Sequence, residues 1–280
     1  MFWELLPVDN HDTLYIAGEA ISSRLWLGTS HYASPQQLVQ ALTQASPGFV
    51  TMSLRRQTAQ QLNDNGHWHC VQQWLAYSSA RILPNTAGCH SAQEAITLAR
   101  MARQLFGTSW IKLEVIGDDY SLQPNPFELV RAATQLVEEG FQVLPYCTDD
   151  LAVAQELVAV GCVAVMPWAA PIGTGKGIMN PYLLSQLRER LDKTVLIIDA
   201  GLGKPSHAAA AMEMGFDAVL LNTAVAHALD PITMASAFAH AVQAGRLAYH
   251  AGCMAERTSA EPSTSPIDLP FWRHDEGRVS

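Results

Sequence analysis

The chain has 280 residues, 49% of them hydrophobic, and a formal net charge of −9. That composition supplies a large core and excludes an intrinsically disordered chain, and an acidic surplus without clustered Lys and Arg excludes nucleic acid as a partner. No apolar run approaches the ~20 residues that span a bilayer, so no membrane partner is expected either.

The first stretch, residues 1–24, opens with MFWELLPVDN, which lacks the basic and apolar regions of a secretory signal. LYIAGEAISSRL then alternates around Gly18, which predicts a hairpin ahead of the main domain. Short apolar, β-branched runs follow at Leu25 to Gly28, Phe49 to Leu54, Arg81 to Asn85 and Trp110 to Ile116. They continue at Gln142 to Tyr146, Val163 to Met166, Thr194 to Ile198 and Ala218 to Leu221. Between them lie SPQQLVQALTQA, SAQEAITLARMARQLF, NPFELVRAATQLVEEG, DLAVAQELVAVG and SHAAAAMEMG, with apolar residues at helical spacing, Ser, Asn or Asp at several starts and Gly at several ends. Strands this uniformly apolar are buried on both faces, as parallel sheets require. Eight β/α repeats over residues 25–250 predict a single-domain (β/α)8 TIM barrel, a fold that runs to ~250 residues. An open doubly wound sheet is the rival architecture; its G-x-G-x-x-G turn is missing, because the first strand runs into GTSHYAS. Residues 251–280, rich in Ser, Pro and charge, read as a poorly ordered tail.

Cys70, Cys89, Cys147, Cys162 and Cys253 are odd in number and never form a C-x-x-C pair, so the expectation is a reducing, cytoplasmic setting. His67, Trp68, His69 and Cys70 look superficially like metal ligands, but they fall on the helix before the third strand and lack the i, i+4 spacing; no metal is expected. Cys147 ends the fifth strand, where a pocket-facing thiol or a small core filler are both open.

Active sites of such barrels sit at the C-terminal ends of the strands, and those ends are polar here. The second strand leads to Arg55 and Arg56, the third to Asn85 and Thr86, the seventh to Asp199 and the eighth to Asn222 and Thr223. Lys112 and Glu114, two apart in the fourth, project to one side. Inside the barrel, desolvation lowers the lysine pKa while the carboxylate opposes the fall, leaving an amine that a base deprotonates and that attacks carbonyls. A structural ion pair is the alternative. Asp199 suits a proton-transfer partner for imine chemistry, or a carboxylate that merely caps its own turn. The turn Gly201-Leu202-Gly203, with Gly173 of PIGTGKG and Asn222-Thr223, outlines a phosphate site built from free backbone amides; plain β/α turns are the bland reading.

The segments SRLWLGTSHYAS, LPNTAGCHSAQEAITLARMAR, WIKLEV, GFQVLPYCTDD, GCVAVMPWAAPIGTGKGI, IIDAGLGKPSHAAAAMEMGFDAVLLNTAVA and DPITMASAFAHAVQAGRLAY closely resemble thiazole synthase, the ThiG family of thiamine biosynthesis, over roughly residues 14 to 250. The resemblance implies a barrel that makes thiazole phosphate from 1-deoxy-D-xylulose 5-phosphate, dehydroglycine and sulfur carried as the C-terminal thiocarboxylate of a small ubiquitin-like carrier protein. It puts the Schiff base on Lys112, acid/base roles on Glu114 and Asp199, and substrate contacts on Gly173, Ala200, Gly201, Asn222 and Thr223. It implies no cofactor beyond that covalent imine, and a homo-oligomer, dimer or tetramer. A class I aldolase-like phosphosugar barrel and a non-catalytic sugar-phosphate scaffold are the competing functions.

Two positions depart from the family pattern: His31 stands where a lysine is usual, and Ser53 where alanine is. The segment Pro270-Phe271-Trp272 is a candidate cover for the site.

Overall fold

The computed structural model describes residues 12–54, 67–260 and 263. Arg55, Arg56, most of the expected tail and the proposed cover at Pro270 to Trp272 lie outside the described residues. Two short strands, β1 (Leu14–Ile16) and β2 (Glu19–Ile21), pair antiparallel. Then β3 (Leu25–Gly28), α1 (Pro35–Ala45), β4 (Phe49–Ser53), α2 (His67–Leu75), β5 (Arg81–Asn85), α3 (Ala92–Phe106), β6 (Trp110–Leu113) and α4 (Pro126–Glu138) alternate. The alternation continues through β7 (Gln142–Cys147), α5 (Leu151–Ala159), β8 (Met166–Pro167), α6 (Pro181–Arg190), β9 (Ile197–Asp199), α7 (Pro205–Glu213), β10 (Ala218–Leu221), the single turn α8 (Thr223–Ala226) and α9 (Pro231–Ala251).

Strands β3 to β10 form one eight-stranded sheet whose ends, β8 and β9, meet through parallel bridges at Val165–Leu196 and Trp168–Asp199. The result is a (β/α)8 barrel. Helix starts follow the capping chemistry read from the sequence: Ser34 accepts from Gln37 N, Ser91 from Glu94 N, Asn125 from Phe127 N and Glu128 N, and Asp150 from Val153 N. Strand ends differ from the apolar runs in two places that matter. Ladder pairing of β6 stops at Leu113, and β9 is displaced to Ile197–Asp199 because the Leu196 amide is taken by Asp217 Oδ2 at 2.9 Å.

Alternation along each strand divides the apolar residues into two bodies. Leu25, Leu27, Val50, Ile111, Val143, Ile198 and Val219 face the helices. Trp26, Phe49, Leu83, Trp110, Leu144, Met166, Ile197 and Leu220 fill the interior, and Leu14, Ile16 and Ile21 of the β1–β2 ribbon pack on them. Trp26, Phe49 and Trp110 stack edge to face at 4.6 and 5.2 Å between centroids. This aromatic floor is buried, so truncating one of its residues to alanine costs about 3–5 kcal/mol. One step further along the same strand faces the interior turns polar, with Thr51, Asn85, Lys112 and Asp199 all buried.

Candidate functional site

Above the aromatic floor lies a cavity of about 970 Å³. Lys112, Glu114, Asp199, Gly173, Ala200, Gly201, Gly203, Asn222 and Thr223 all line it. The walls therefore collect, from strands far apart in sequence, the three residues expected to carry the imine chemistry and the six expected to contact substrate.

Lys112 sits two residues after Trp110 on β6, so its side chain rises from the floor into the cavity. Its Nζ lies 2.6 Å from Asp199 Oδ2 and 3.1 Å from Glu114 Oε1, and all three residues are buried. Burial works against the ammonium, but the Coulombic pull of Asp199 and Glu114 and their contacts outweigh it, so the lysine pKa is raised. This reverses the expectation of a lysine lowered by desolvation: one carboxylate opposes the fall, two override it. Asp199 is pushed up to about 6, first by burial and then by the Glu114 charge, with Lys112 pulling the other way. The triad holds one cation between two acids, one of which is poised close to neutrality.

The glycine turns are constrained by contact. After Asp199 the chain reverses through Ala200 at φ 71° and Gly201 at φ 79°; the left-handed alanine costs about 1–2 kcal/mol, strain concentrated beside the buried acid. A Cβ on Gly203 would lie 2.3 Å from Gly175 O, so the two loops meet backbone to backbone. The amides of Gly173 and Gly201 have no hydrogen-bond partner among the described residues. That of Gly203 is not free as expected: it donates to His207 Nδ1 at 3.2 Å, a side chain from the first turn of α7. Asn222 packs against Gly28, where a Cβ would lie 2.5 Å from Asn222 Cβ, and donates through Nδ2 to Ser30 Oγ at 3.0 Å.

Among the described residues, Tyr32 Oη, Ser53 Oγ, Asp199 Oδ2 and Asn222 Oδ1 are buried polar atoms without a hydrogen-bond partner, the contact from Asp199 Oδ2 to Nζ being ionic and not aligned for one. All four residues line the cavity. Folds rarely leave such atoms unsatisfied, and here they gather on one wall. Tyr32, His90, Asp119 and His227 also line it but were not named as site residues from sequence. Each lies on a loop after a barrel strand, the signal that would have found it. His31, at φ 72°, packs edge to face on His227 at 5.4 Å. Cys147 is fully buried and outside the cavity lining, and burial together with Cys162 raises its thiol pKa. His67, His69 and Cys70 lie on α2, and among the described residues no group of three His, Cys, Asp or Glu is arranged to hold a metal ion.

A closed parallel barrel with titratable groups buried at the C-terminal ends of its strands defines the class, a (β/α)8-barrel enzyme. Residues 15–265 match the family described as "Thiazole biosynthesis protein ThiG". Relatives described as thiazole synthase are 58% identical in Paracidovorax citrulli (95% of this chain, 97% of that one) and 56% identical in Coxiella burnetii (91% and 97%). The chain belongs to the thiazole synthase family. A chain of the crystal structure of the Amycolatopsis orientalis BexX/CysO complex superposes with a TM-score of 0.79 at 30% identity, covering 88% of this chain and 98% of that one. Thiamine phosphate pyrophosphorylase from Pyrococcus furiosus, at 12% identity and a TM-score of 0.55 over 79% of this chain and 96% of its own, shares the fold alone.

Proposed function

We propose that this thiazole synthase works through a Schiff base on Lys112, formed with the ketone of 1-deoxy-D-xylulose 5-phosphate. The observation that carries the proposal is the enclosure of Lys112 Nζ between two buried carboxylates in the one cavity lined by the amides of Gly173 and Gly201. In the empty site the amine is held as ammonium. As the ketone enters, Asp199 takes the proton, and the freed Nζ lone pair adds to the carbonyl carbon while its oxygen gains a proton. The carbinolamine then loses water to give the iminium. That cation acts as an electron sink, so the neighbouring carbon gives up a proton, and Glu114 carries it as the carbonyl character moves along the sugar.

The unpartnered amides of Gly173 and Gly201, with Ala200, Gly203, Asn222 and Thr223 around them, grip the phosphate and fix the orientation of the ketone to Nζ. His207 leaves Gly203 a packing role in that grip. Sulfur arrives from the C-terminal thiocarboxylate of a small carrier protein, and dehydroglycine completes the ring. The relative from Amycolatopsis, solved in a complex with a second protein, supports a protein donor. The family resemblance supports a homodimer or homotetramer. Five unpaired cysteines support a cytoplasmic setting, and no helix of the described residues is long and apolar enough to cross a membrane.

Borohydride reduction in the presence of 1-deoxy-D-xylulose 5-phosphate, followed by peptide mass spectrometry, tests this. A stable adduct on Lys112, lost in Lys112→Ala, is the expected result; an adduct elsewhere, or none, overturns it.

A further inference from the structure

We infer that Thr86 is the positioning residue of this site, holding Glu114 at its working distance from Lys112. The ladder between β5 and β6 contains a single register pair, Asn85 with Lys112, and β6 itself ends at Leu113. Glu114 thus lies past the strand, where no ladder fixes its backbone. Thr86, the residue after β5, supplies the missing bonds. Its Oγ1 accepts from Glu114 N at 2.8 Å and donates to Glu114 O at 2.8 Å, so one hydroxyl satisfies both backbone groups of the acid. Its own amide donates to Lys112 O at 3.2 Å. The side chain is fully buried, so water does not compete for these bonds.

The turn that begins at Thr86 continues the support. Cys89 N donates to Thr86 O at 3.2 Å, and Ile116 N donates to Cys89 O at 2.7 Å, so the segment from 86 to 89 acts as a surrogate strand for the chain beyond Leu113. It fixes the backbone from which the Glu114 carboxylate reaches to 3.1 Å from Nζ. Thr86 itself does not line the cavity and so acts only through Glu114 and the Lys112 backbone.

The inference rests on the proposed role of Glu114, and its test separates the two. Thr86→Val keeps the shape and loses the hydroxyl; Thr86→Ser keeps the hydroxyl and loses a methyl. In thiazole phosphate formation, Thr86→Val is expected to lower kcat about 10- to 100-fold, the size of loss that follows a misplacement of ~1 Å, with KM for the phosphosugar within about threefold of wild type. Thr86→Ser recovers most of the loss. A cycle with Glu114→Gln completes the measurement: if Thr86 acts through Glu114, Thr86→Val adds little to the Glu114→Gln defect. Multiplying losses in the double variant, equal losses in Thr86→Val and Thr86→Ser, or a Thr86→Val enzyme of wild-type kcat each overturn the inference. A Glu114→Gln enzyme of undiminished kcat instead overturns the role of Glu114, and with it the reason for positioning it.

Discussion

Replacing Asp199 by asparagine tests the proton transfer at the centre of the mechanism. Asp199 Oδ2 stands 2.6 Å from Lys112 Nζ in a fully buried setting that pushes its pKa from 3.8 up to about 6. At 1.36 kcal/mol per unit, ionising it in place costs about 3 kcal/mol more than ionising a solvated carboxyl. The carboxylate is therefore a much better proton acceptor than an exposed aspartate, and it becomes one only above pH ~6. In wild type, the single-turnover rate of imine formation, measured by rapid quench into borohydride, is expected to fall tenfold per pH unit below that point. In Asp199→Asn the amide accepts no proton, so the rate is lower by about 10²- to 10⁴-fold and loses this inflection. The substrate phosphate also ionises near pH ~6, and the variant distinguishes the two. An inflection that persists unchanged in Asp199→Asn belongs to the phosphate and refutes the assignment of Asp199 as acceptor.

The turns and the barrel base carry further expectations. Gly203→Ala places a methyl 2.3 Å from Gly175 O, where only backbone movement relieves it. The variant is expected to lose about 1–3 kcal/mol and to raise KM for the phosphosugar at least tenfold, by thermal melting and steady-state kinetics. At the opposite end, Asp12 accepts from Arg24 at 2.8 Å and Arg246 at 2.6 Å and meets His250 at 2.9 Å. Burial opposes its charge, but the bonds from Arg246 and His250 and the nearby arginines prevail and lower its pKa from 3.8 to about 2. A carboxyl whose folded pKa is depressed stabilises fully above pH 3.8 and loses that contribution as pH falls towards 2. The shift corresponds to about 2.5 kcal/mol, and discounting for a partly exposed group leaves about 1 kcal/mol. Asp12→Asn is expected to lose that amount in urea titrations at pH 7 and progressively less as pH falls through 2.

The barrel was legible because its strands are apolar on both faces and its helices announce their starts: Ser91 and Asn125 are caps in the structure as in the sequence. Helix α6 was not singled out, and it is a weak signal, burying only Leu184 and Leu187 in a run that ends in charged residues. Lys112 stood out because a lysine in an apolar strand demands a reason. What sequence did not disclose depends on partners distant in the chain. The shift of β9 is dictated by Asp217, the occupancy of the Gly203 amide by His207, and the direction of the lysine pKa by two acids closing on it at once. The dual bond from Thr86 to Glu114 is likewise invisible in a list of residue types, since it exists only once two strand ends lie side by side.

The seam between β8 and β9 has a functional meaning. Lysine and glutamate come from β6 and the residue just past it, but the second acid belongs to β9, which reaches β8 through isolated bridges, one of them at Asp199 itself. A chain folded as far as its first half would own an amine and a single acid, with nothing across the cylinder to complete them. In the mechanism proposed above, imine formation therefore requires that the ring has joined, because only then does the proton acceptor of β9 face the amine of β6.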